Sequence, residues 1–265
     1  MKRKYWLLLL VFAVLLNGSP VLADGDFYVV AVGGGVGTRI NSLPYAINNP
    51  GFYYLGGNLN APSGGGISIN TNNVTLDLMG FTISGTSNAG NNSGIYLNSK
   101  KNVEIRNGSL IGWDYGIKAE NSCANNRVIN VRAQNNHATG ILLNGYSHLV
   151  KGCTSSDNSY NGIEVYLGGA TISGNVVNNN GNAGIYVYGI ATITGNTVSN
   201  ASWMVIWLNG AGSIIGNTVS CDSGQTGIGL GGTGPVMLDQ NTVAGVGTHF
   251  SPGSVTNVKG TNAGF

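Results

Sequence analysis

The chain has 265 residues, of which only 8% are charged and 44 are glycine. Its formal charge of +2 depends on Lys2, Arg3 and Lys4, because without these three only 9 of the 12 basic residues remain against 10 acidic ones, a balance of −1. With no basic patch and no aromatic-basic RNA motif in the rest of the chain, nucleic acid is excluded as a partner.

The first 23 residues have the layout of a secretory signal peptide. The basic start MKRKYW is followed by the apolar run LLLLVFAVLL and then by the segment NGSPVLA, which ends at the small residue Ala23 as a signal-peptide cleavage site does. The apolar run is too short to span a bilayer comfortably, so we predict cleavage after Ala23, with an uncleaved anchor as the alternative. No later run is long enough for a transmembrane span. We therefore expect a secreted, periplasmic or cell-surface protein.

Residues 24–65 lack the repeat that begins after them, although residues 52–55 form a strand-like run. A stack of repeats needs an atypical end that covers its core and blocks pairing with other sheets. The sequence therefore predicts an N-terminal cap over residues 24–65.

A repeat of about 22 residues fills residues 66–245. The dipeptide Gly-Ile recurs from residue 94 to residue 228 in steps of 21 to 24 residues, with Val205 replacing Gly in one copy. Apolar and polar residues then alternate, as in a β-strand. Two columns are predicted to point inward: Ile95, Ile117, Ile141, Ile163, Ile185, Ile206 and Ile228, then Leu97, Ala119, Leu143, Val165, Val187, Leu208 and Leu230.

Two further strands are predicted to complete each turn, separated by a tight corner of Gly and Asn, which tolerate left-handed backbone. The predicted columns are Ile105, Val128, Leu149, Ile172, Ile193, Ile214 and Leu238 in the second strand, Gly108, Val131, Gly152, Asn175, Asn196, Asn217 and Asn241 at the corner, and Leu110, Ala133, Thr154, Val177, Val198, Val219 and Val243 in the third. Stacking at the ~4.8 Å strand spacing buries these columns. The prediction is an all-β, single-domain parallel β-helix of about eight turns, with a C-terminal cap or tail at residues 246–265.

These motifs carry a family resemblance. The Gly-Ile-x-apolar strand followed by TISGNVVNNN, TITGNTVSN or SIIGNTVS is similar to the secreted bacterial right-handed parallel β-helix proteins of the pectin-lyase-like superfamily, over residues 66–245. The resemblance implies a right-handed coil. It implies no single activity, because that superfamily includes lyases, hydrolases, epimerases, adhesins and phage tail parts. The sequence contains none of the catalytic motifs of pectate lyases, polygalacturonases or mannuronan epimerases.

Residues between the inward columns of the first strand must point outward, and several are aromatic or charged. Loops that enter the same strand add Trp113, Tyr160 and Trp203. Aromatic platforms beside polar groups suit an extended polysaccharide. The predicted substrate-binding residues are Tyr166, Tyr186, Tyr188, Trp207 and Glu120. The alternative is a non-catalytic surface or extracellular structural or adhesion protein, in which these aromatic residues only stack on one another.

The sequence leaves catalysis open. The candidate catalytic residues are Lys118 and Glu164, two turns and roughly 9.5 Å apart at the usual strand spacing. Glu120 lies diagonally from Glu164 at roughly 11 to 12 Å, beyond the ~5–9.5 Å that separates paired carboxylates in glycosidases. If the protein is an enzyme, the expected class is a polysaccharide lyase, hydrolase or epimerase.

No cofactor or metal site is predicted. The cysteines Cys123, Cys153 and Cys221 are odd in number and lack metal-ligand spacing, so they are expected to be structural. The acidic residues form no calcium-binding loop. The sequence does not indicate an oligomeric state.

Charged residues also occur on the second strand. Glu104, Arg127 and His148 are predicted to share one outward column as a surface charge ladder. Asp77, in VTLDLMG, is predicted to be an isolated acid on the strand surface.

Overall fold

A computed structural model describes residues 37–86, 92–245, 247–251 and 257–264. The predicted signal peptide and residues 24–36 of the predicted cap lie outside the described residues. Within the described ranges all regular secondary structure is β-strand. No helix in that part of the chain has the length and apolar character needed to cross a membrane.

The described strands are short and follow one another closely along the chain. They are β1 (Thr38–Ile40), β2 (Tyr45–Ile47), β3 (Gly51–Leu55), β4 (Leu59–Ala61), β5 (Ile67–Ile69), β6 (Val74–Asp77), β7 (Thr82–Gly85), β8 (Ser93–Asn98), β9 (Val103–Ile111), β10 (Tyr115–Ala124), β11 (Arg127–Gln134), β12 (Ile141–Tyr146), β13 (Leu149–Lys151), β14 (Thr154–Ser156), β15 (Ile163–Gly168), β16 (Ala170–Ser173), β17 (Val176–Asn180), β18 (Ala183–Tyr188), β19 (Ala191–Thr194), β20 (Thr197–Ala201), β21 (Met204–Asn209), β22 (Gly212–Ile215), β23 (Thr218–Cys221), β24 (Thr226–Gly231), β25 (Val236–Asp239), β26 (Thr242–Gly245), β27 (Thr248–Ser251) and β28 (Asn257–Lys259).

Ten of these strands form one parallel sheet, in the order β2, β5, β8, β10, β12, β15, β18, β21, β24 and β27. Its register places the isoleucines of the Gly-Ile repeat side by side, for example Ile163 between Ile141 and Ile185. The remaining 18 strands form a second sheet, in which β9 and β11 each run across the corner that separates the second and third strands of the other turns. The fold prediction of an all-β parallel β-helix is therefore confirmed.

Ten stacked strands are joined by nine steps, so the described chain makes about nine turns where the sequence predicted about eight. At the first of these steps, β2 pairs with β5, with Tyr45 opposite Ile67. Strands β1 and β3 pair with each other, and β3 and β4 pair with β6 and β7. Strands β1 to β4 thus lie in the segment predicted as a cap. The capping role stays a prediction, because residues 24–36 lie outside the described residues.

Both inward columns predicted for the ten-stranded sheet are buried, with no member more than 1% exposed. Two positions in the other sheet were assigned wrongly. The buried partner of Val128 and Ile172 is Val150 and not Leu149, because two adjacent apolar residues leave the period-two pattern ambiguous and the pairing decides between them.

In the third strand the inward residue is Ser155 and not Thr154. Ser155 pairs with Ala133 and Val177, and its hydroxyl donates to the Gly162 carbonyl at 2.7 Å, so a polar residue is satisfied inside the core.

The asparagine column at the corner has a different cause from the one predicted. The left-handed residues are those just before it, Gly174, Gly195, Gly216 and Gln240, with φ between 55° and 66°. The asparagines are 1% exposed and point inward. The side-chain oxygen of Asn196 accepts from the backbone N and from Nδ2 of Asn175, both at 2.9 Å. Asn217, Asn241 and Asn262 repeat this pattern, so the column is an amide ladder.

A second, shorter ladder lies at the end of the third strand. Asn136 donates its backbone N and its Nδ2 to the side-chain oxygen of Asn158, and Asn158 donates in the same way to Asn180. All three asparagines are at most 2% exposed. The ladders satisfy polar groups at two corners that apolar side chains could not satisfy.

Two residues predicted on the surface are buried. His148 is 2% exposed, and its Nδ1 accepts from the Asn126 backbone N at 3.3 Å. Asp77 is 1% exposed and accepts from Arg106 Nε at 2.8 Å. His148 precedes β13 and Asp77 ends β6, so both lie at corners, where strand alternation no longer predicts side-chain direction. The rest of the predicted charge ladder is present, since Arg127 Nη1 lies 3.4 Å from Glu104 Oε2.

Candidate functional site

The outward side of the ten-stranded sheet between β5 and β24, called the outer face from here on, holds the predicted site residues. Its side chains lie in register across the strands: Glu164, Tyr186, Trp207 and Gly229 form one column, and Asn144, Tyr166, Tyr188 and Asn209 form the next. The alternation of each strand, with an isoleucine inward at every turn, sets these directions.

A cluster of tyrosines occupies β15 and β18. The ring centroid of Tyr166 lies 6.0 Å from that of Tyr186 and 6.3 Å from that of Tyr188. Tyr188 is 50% exposed, so its ring is open to a ligand as well as to its neighbours. The tyrosines therefore stack on one another, as the structural alternative expected, and still present aromatic surface to solvent.

Tryptophans extend this surface over the next two strands. The rings of Trp203 and Trp207 are 5.6 Å apart, and Trp203 is 42% exposed. Trp207 lies against the glycines of β24, because a Cβ atom at Gly229 or Gly231 would come within 2.6 Å of its ring. The indole thus lies over a strand without side chains at those positions, which leaves room for it to lie flat along the sheet.

Glu164 lies beneath these rings. It is 5% exposed, and its Oε2 accepts a hydrogen bond from the Thr139 hydroxyl at 2.8 Å. Burial, followed by the hydrogen bond to Glu164, raises the pKa of Tyr166. Burial, followed by the charge of Glu164, also raises the pKa of Tyr186. Both phenols therefore stay protonated at neutral pH and serve as hydrogen-bond donors rather than bases.

A polar group lies further toward the N-terminus, on β8 and β10. Lys118 Nζ lies 2.8 Å from Glu120 Oε1 and 4.5 Å from the centre of the Tyr115 ring. The Tyr96 hydroxyl donates to Glu120 Oε2 at 2.9 Å. The hydrogen bond from Lys118, ahead of the opposing effect of burial, lowers the pKa of Glu120. Glu120 is therefore held as a carboxylate.

The outer face contains two shallow depressions. The first has a volume of about 410 Å³ and is lined by Gly65, Gly66, Ser68, Asn92, Ser93, Tyr96, Lys118 and Glu120. The second has a volume of about 460 Å³ and is lined by Asn121, Ser122, Asn144, Tyr166, Leu167 and Tyr188. Strand β10 contributes to both, with Glu120 in the first depression and Asn121 and Ser122 in the second, so both depressions belong to the same surface.

Leu167, in the wall of the second depression, has a strained backbone. Its φ is +81°, a value that non-glycine residues rarely adopt, and its side chain is 46% exposed. Its apolar side chain lines the second depression together with that of Tyr188.

The structure brings only some of the predicted site residues together. Tyr166, Tyr186 and Tyr188 are in contact, and Lys118 contacts Glu120. The two candidate catalytic residues are apart, since Leu142 of β12 pairs with Lys118 on one side and Glu164 on the other.

Among the predicted loop residues, Trp113 is 1% exposed and belongs to the core, where its Nε1 donates to the Ile83 carbonyl at 3.2 Å. Gly85 makes room for it, because a Cβ atom there would lie 2.6 Å from the indole. The expectation that Trp113 helps to form the wall of the outer face is therefore wrong.

Of the residues that line the depressions, the sequence analysis predicted Lys118, Glu120, Tyr166 and Tyr188; those that it missed include Ser93, Asn144 and Leu167. Asn144 follows Leu142 in an outward column, so its position could have been read from the alternation. Ser93 lies two residues before the inward Ile95, and Leu167 lies two residues after the inward Val165. At these ends of the strand the repeat does not predict which way a side chain points.

Metal binding has no support in the described ranges. They hold no group of three or more His, Cys, Asp and Glu residues that could coordinate an ion. The three cysteines are buried and unpaired, and burial raises the pKa of Cys153 to about 11, which makes its thiol a poor ligand or nucleophile.

A family model described as "Right handed beta helix region" matches residues 56–198. This match covers more than half of the chain. The chain belongs to the right-handed β-helix family. The handedness implied by the pectin-lyase-like resemblance is thereby confirmed.

Solved structures share the fold at low sequence identity. An A-module of a mannuronan C-5 epimerase of Azotobacter vinelandii has a TM-score of 0.57 at 11% identity, with 85% of this chain and 80% of that one covered. A second epimerase A-module from the same organism has a TM-score of 0.54 at 12% identity, with 78% and 83% covered. The ORF18 protein of Geobacillus virus E2 has a TM-score of 0.53 at 14% identity, and the match spans 83% of this chain but 54% of the viral one. A search of curated proteins finds no match.

Proposed function

We propose that this protein binds an extended polysaccharide along the outer face. The observation that carries the proposal is the run of aromatic rings from Tyr166 to Trp207 over three neighbouring strands, with exposed surface at Tyr188 and Trp203. Such rings offer flat apolar platforms at intervals of about 4.8 Å along the coil axis. An extended polymer can contact several of them at once.

Polar groups beside the rings supply the other half of sugar recognition. Lys118 and Glu120 provide a donor and an acceptor in the first depression, and Asn144 lines the second. Ligand sites generally combine apolar lining with a few polar groups that fix orientation. The outer face has both features along one line of strands.

Binding without conversion is the form of the proposal that the geometry favours. Lys118 is already paired with Glu120, and Glu164 is buried with its oxygen accepting from Thr139. Hydrolysis by paired carboxylates needs two of them facing one bond, and Glu120 and Glu164 lie on strands separated by β12. A lyase or epimerase needs a base, and the raised pKa of Tyr166 does not suit that role.

The similar folds add support of a general kind. Two of them are modules of enzymes named for acting on mannuronan, itself a polysaccharide. At 11% and 12% identity this likeness concerns the fold, so the residues of the outer face remain the argument for the ligand.

Affinity electrophoresis through gels that contain single polysaccharides tests the proposal. Trp207→Ala combined with Tyr188→Ala should abolish the retardation of the wild-type chain by the polysaccharide that it binds. Tyr54→Ala is the matched control, because Tyr54 lies on β3 in the other sheet. Retardation that survives the double substitution would show that the aromatic residues of the outer face are not the site. A wild-type chain that no polysaccharide retards would favour the structural or adhesion role instead.

Export is a separate part of the proposal. A polysaccharide outside the cell is reachable only if residues 1–23 direct secretion or placement in the periplasm or at the cell surface. The intact mass of the protein recovered from periplasm or medium should correspond to a chain that begins at Asp24. Recovery of the full-length chain from the cytoplasm alone would contradict export.

A further inference from the structure

Charges on the outer face are few, and they sum to a negative value. Among its described outward strand positions, Lys118 is the one cation, and it is paired with Glu120. Glu164 adds a second carboxylate. Asp114, in the loop before β10, is a third acidic residue close by: its Oδ2 accepts from the backbone N of Asn92, which lines the first depression, at 2.9 Å. The described outward strand positions therefore hold one cation against two carboxylates, with Asp114 as a further acid beside them.

No unpaired cation offsets this balance within the depressions. Lys100 and Lys101 follow β8 at the corner, and neither of them lines a depression. The lining of the second depression contains no charged residue. An anionic ligand would meet Glu120 in the first depression, where the one cation, Lys118, is already paired, and no counter-charge in the second.

Each depression has instead a polar atom without a protein partner. Ser93 is 5% exposed, and its Oγ forms no hydrogen bond with any described residue. The side-chain oxygen of Asn144, which lines the second depression, likewise forms no hydrogen bond with any described residue. A buried polar atom without a hydrogen-bond partner destabilises the protein. Ser93 lines the first depression, so a χ1 rotamer that turned its hydroxyl toward the depression would let a ligand hydroxyl satisfy it.

We propose that the outer face selects neutral, hydroxyl-rich polysaccharides over uronate polymers, with one sugar unit in each depression. This inference rests on the proposed polysaccharide binding and names its substrate class. A sugar hydroxyl both donates and accepts, so one unit can donate to Glu120 while accepting from Lys118 or Ser93. A carboxylate only accepts, and its charge is repelled by Glu120, Glu164 and Asp114.

Matched pairs of polymers that differ in charge test the selectivity. The probes are methyl-esterified and de-esterified homogalacturonan, hydroxyethyl and carboxymethyl cellulose, and mannan and mannuronan. In each pair that retards the wild-type chain, the neutral member should bind about tenfold or more tightly at low salt, and the difference should shrink at high salt because repulsion is screened. Equal or tighter binding of the anionic member overturns the selectivity. Failure of all six polymers overturns the proposed function itself.

Glu120→Gln tests whether charge causes the preference for neutral polymers. It frees the charge of Lys118, so the preference for the neutral member should fall by about threefold or more. Glu104→Gln removes the same charge from β9 in the other sheet, where Glu104 pairs with Arg106 and Arg127, and should leave the preference unchanged. An unchanged preference in Glu120→Gln, or an equal change in both variants, counts against the charge argument.

Ser93→Ala separates a ligand role from a structural one. Because the Ser93 hydroxyl has no protein partner, its removal should not lower the free energy of unfolding, yet binding of the neutral polymer should weaken by about threefold to tenfold. A loss of stability together with unchanged binding would show that Ser93 only supports the fold and that the first depression holds no sugar unit at that atom.

Discussion

The side-chain oxygen of Asn196 accepts two hydrogen bonds from Asn175, one from its backbone N and one from its Nδ2, each 2.9 Å long. Asn196 in turn donates its own Nδ2 to Asn217 and to the Ile172 carbonyl. One side chain therefore satisfies polar groups on three turns of the coil.

Asn196→Leu should be strongly destabilising. The change keeps the side-chain size but leaves two donors of Asn175 without partners in the core and removes one hydrogen bond to the Ile172 carbonyl, which should lower the free energy of unfolding by about 3–5 kcal/mol. Denaturant unfolding measures the loss. Asn178→Leu, the same exchange at a half-exposed position of β17, should cost about 1 kcal/mol or less. Similar losses in both variants would remove the special role of the ladder.

His148 should make stability depend on pH. Burial lowers its pKa to about 4, below the ordinary value of 6.5, so between these pH values the unfolded chain binds the proton more readily. Stability from this residue is complete above pH 6.5 and is lost as the pH falls toward 4, by about 3 kcal/mol in total. His148→Asn keeps an acceptor for the Asn126 backbone and does not titrate.

The difference in unfolding free energy between wild type and His148→Asn, measured at several pH values, isolates this residue from the carboxylates that titrate in the same range. As the pH drops below 6.5, the free energy of unfolding of the wild type should fall more steeply than that of His148→Asn. If the free energies of unfolding of the two proteins change with pH in parallel, protonation of His148 does not destabilise the folded state.

Leu167→Gly should separate stability from binding. Glycine relieves the strain at a φ of +81°, so the free energy of unfolding should stay within about 1 kcal/mol of the wild type or rise. Polysaccharide binding should weaken by about threefold or more, because the apolar wall of the second depression is lost. Ser147→Gly, at a φ of +58° and outside the lining of the second depression, should leave binding unchanged.

Gly229→Ala should displace Trp207. The added methyl group would lie 2.6 Å from the indole and 2.7 Å from the Met204 sulfur, so the ring must leave its place over β24. We expect a shift in tryptophan fluorescence and weaker polysaccharide binding. Gly57→Ala, where nothing lies within 4 Å of the new atom, is the control and should show neither effect. Full binding with a displaced ring would exclude Trp207 from the site.

The repeat was predictable where apolar and polar residues alternate without interruption. The isoleucine column from Ile95 to Ile228 has one apolar residue at each turn, and pairing places every member as expected. At Leu149 and Val150 two apolar residues are adjacent, and only the register with the neighbouring turns decides which is buried. The asparagines were misread because Asn tolerates a left-handed backbone and also forms amide ladders, and sequence alone does not separate these uses.

The outer face was predictable in direction but not in exposure. Glu164 lies on the outward side of β15 as expected, yet it is 5% exposed because burial depends on what neighbouring side chains cover. Trp113 was expected on the outer face because it occupies a loop, and the glycine at position 85, a whole turn away, is what admits it to the core. The local sequence pattern does not predict such contacts between residues that are distant along the chain.

The two asparagine ladders also give the coil an electrical direction. Within both of them each side-chain oxygen accepts from the asparagine of the preceding turn, and the Nδ2 of that asparagine donates to it. The amide dipoles are therefore aligned along the coil axis rather than cancelling, with their negative ends toward the N-terminal side. Because aligned hydrogen bonds polarise one another, each turn added with an asparagine at this corner strengthens those before it.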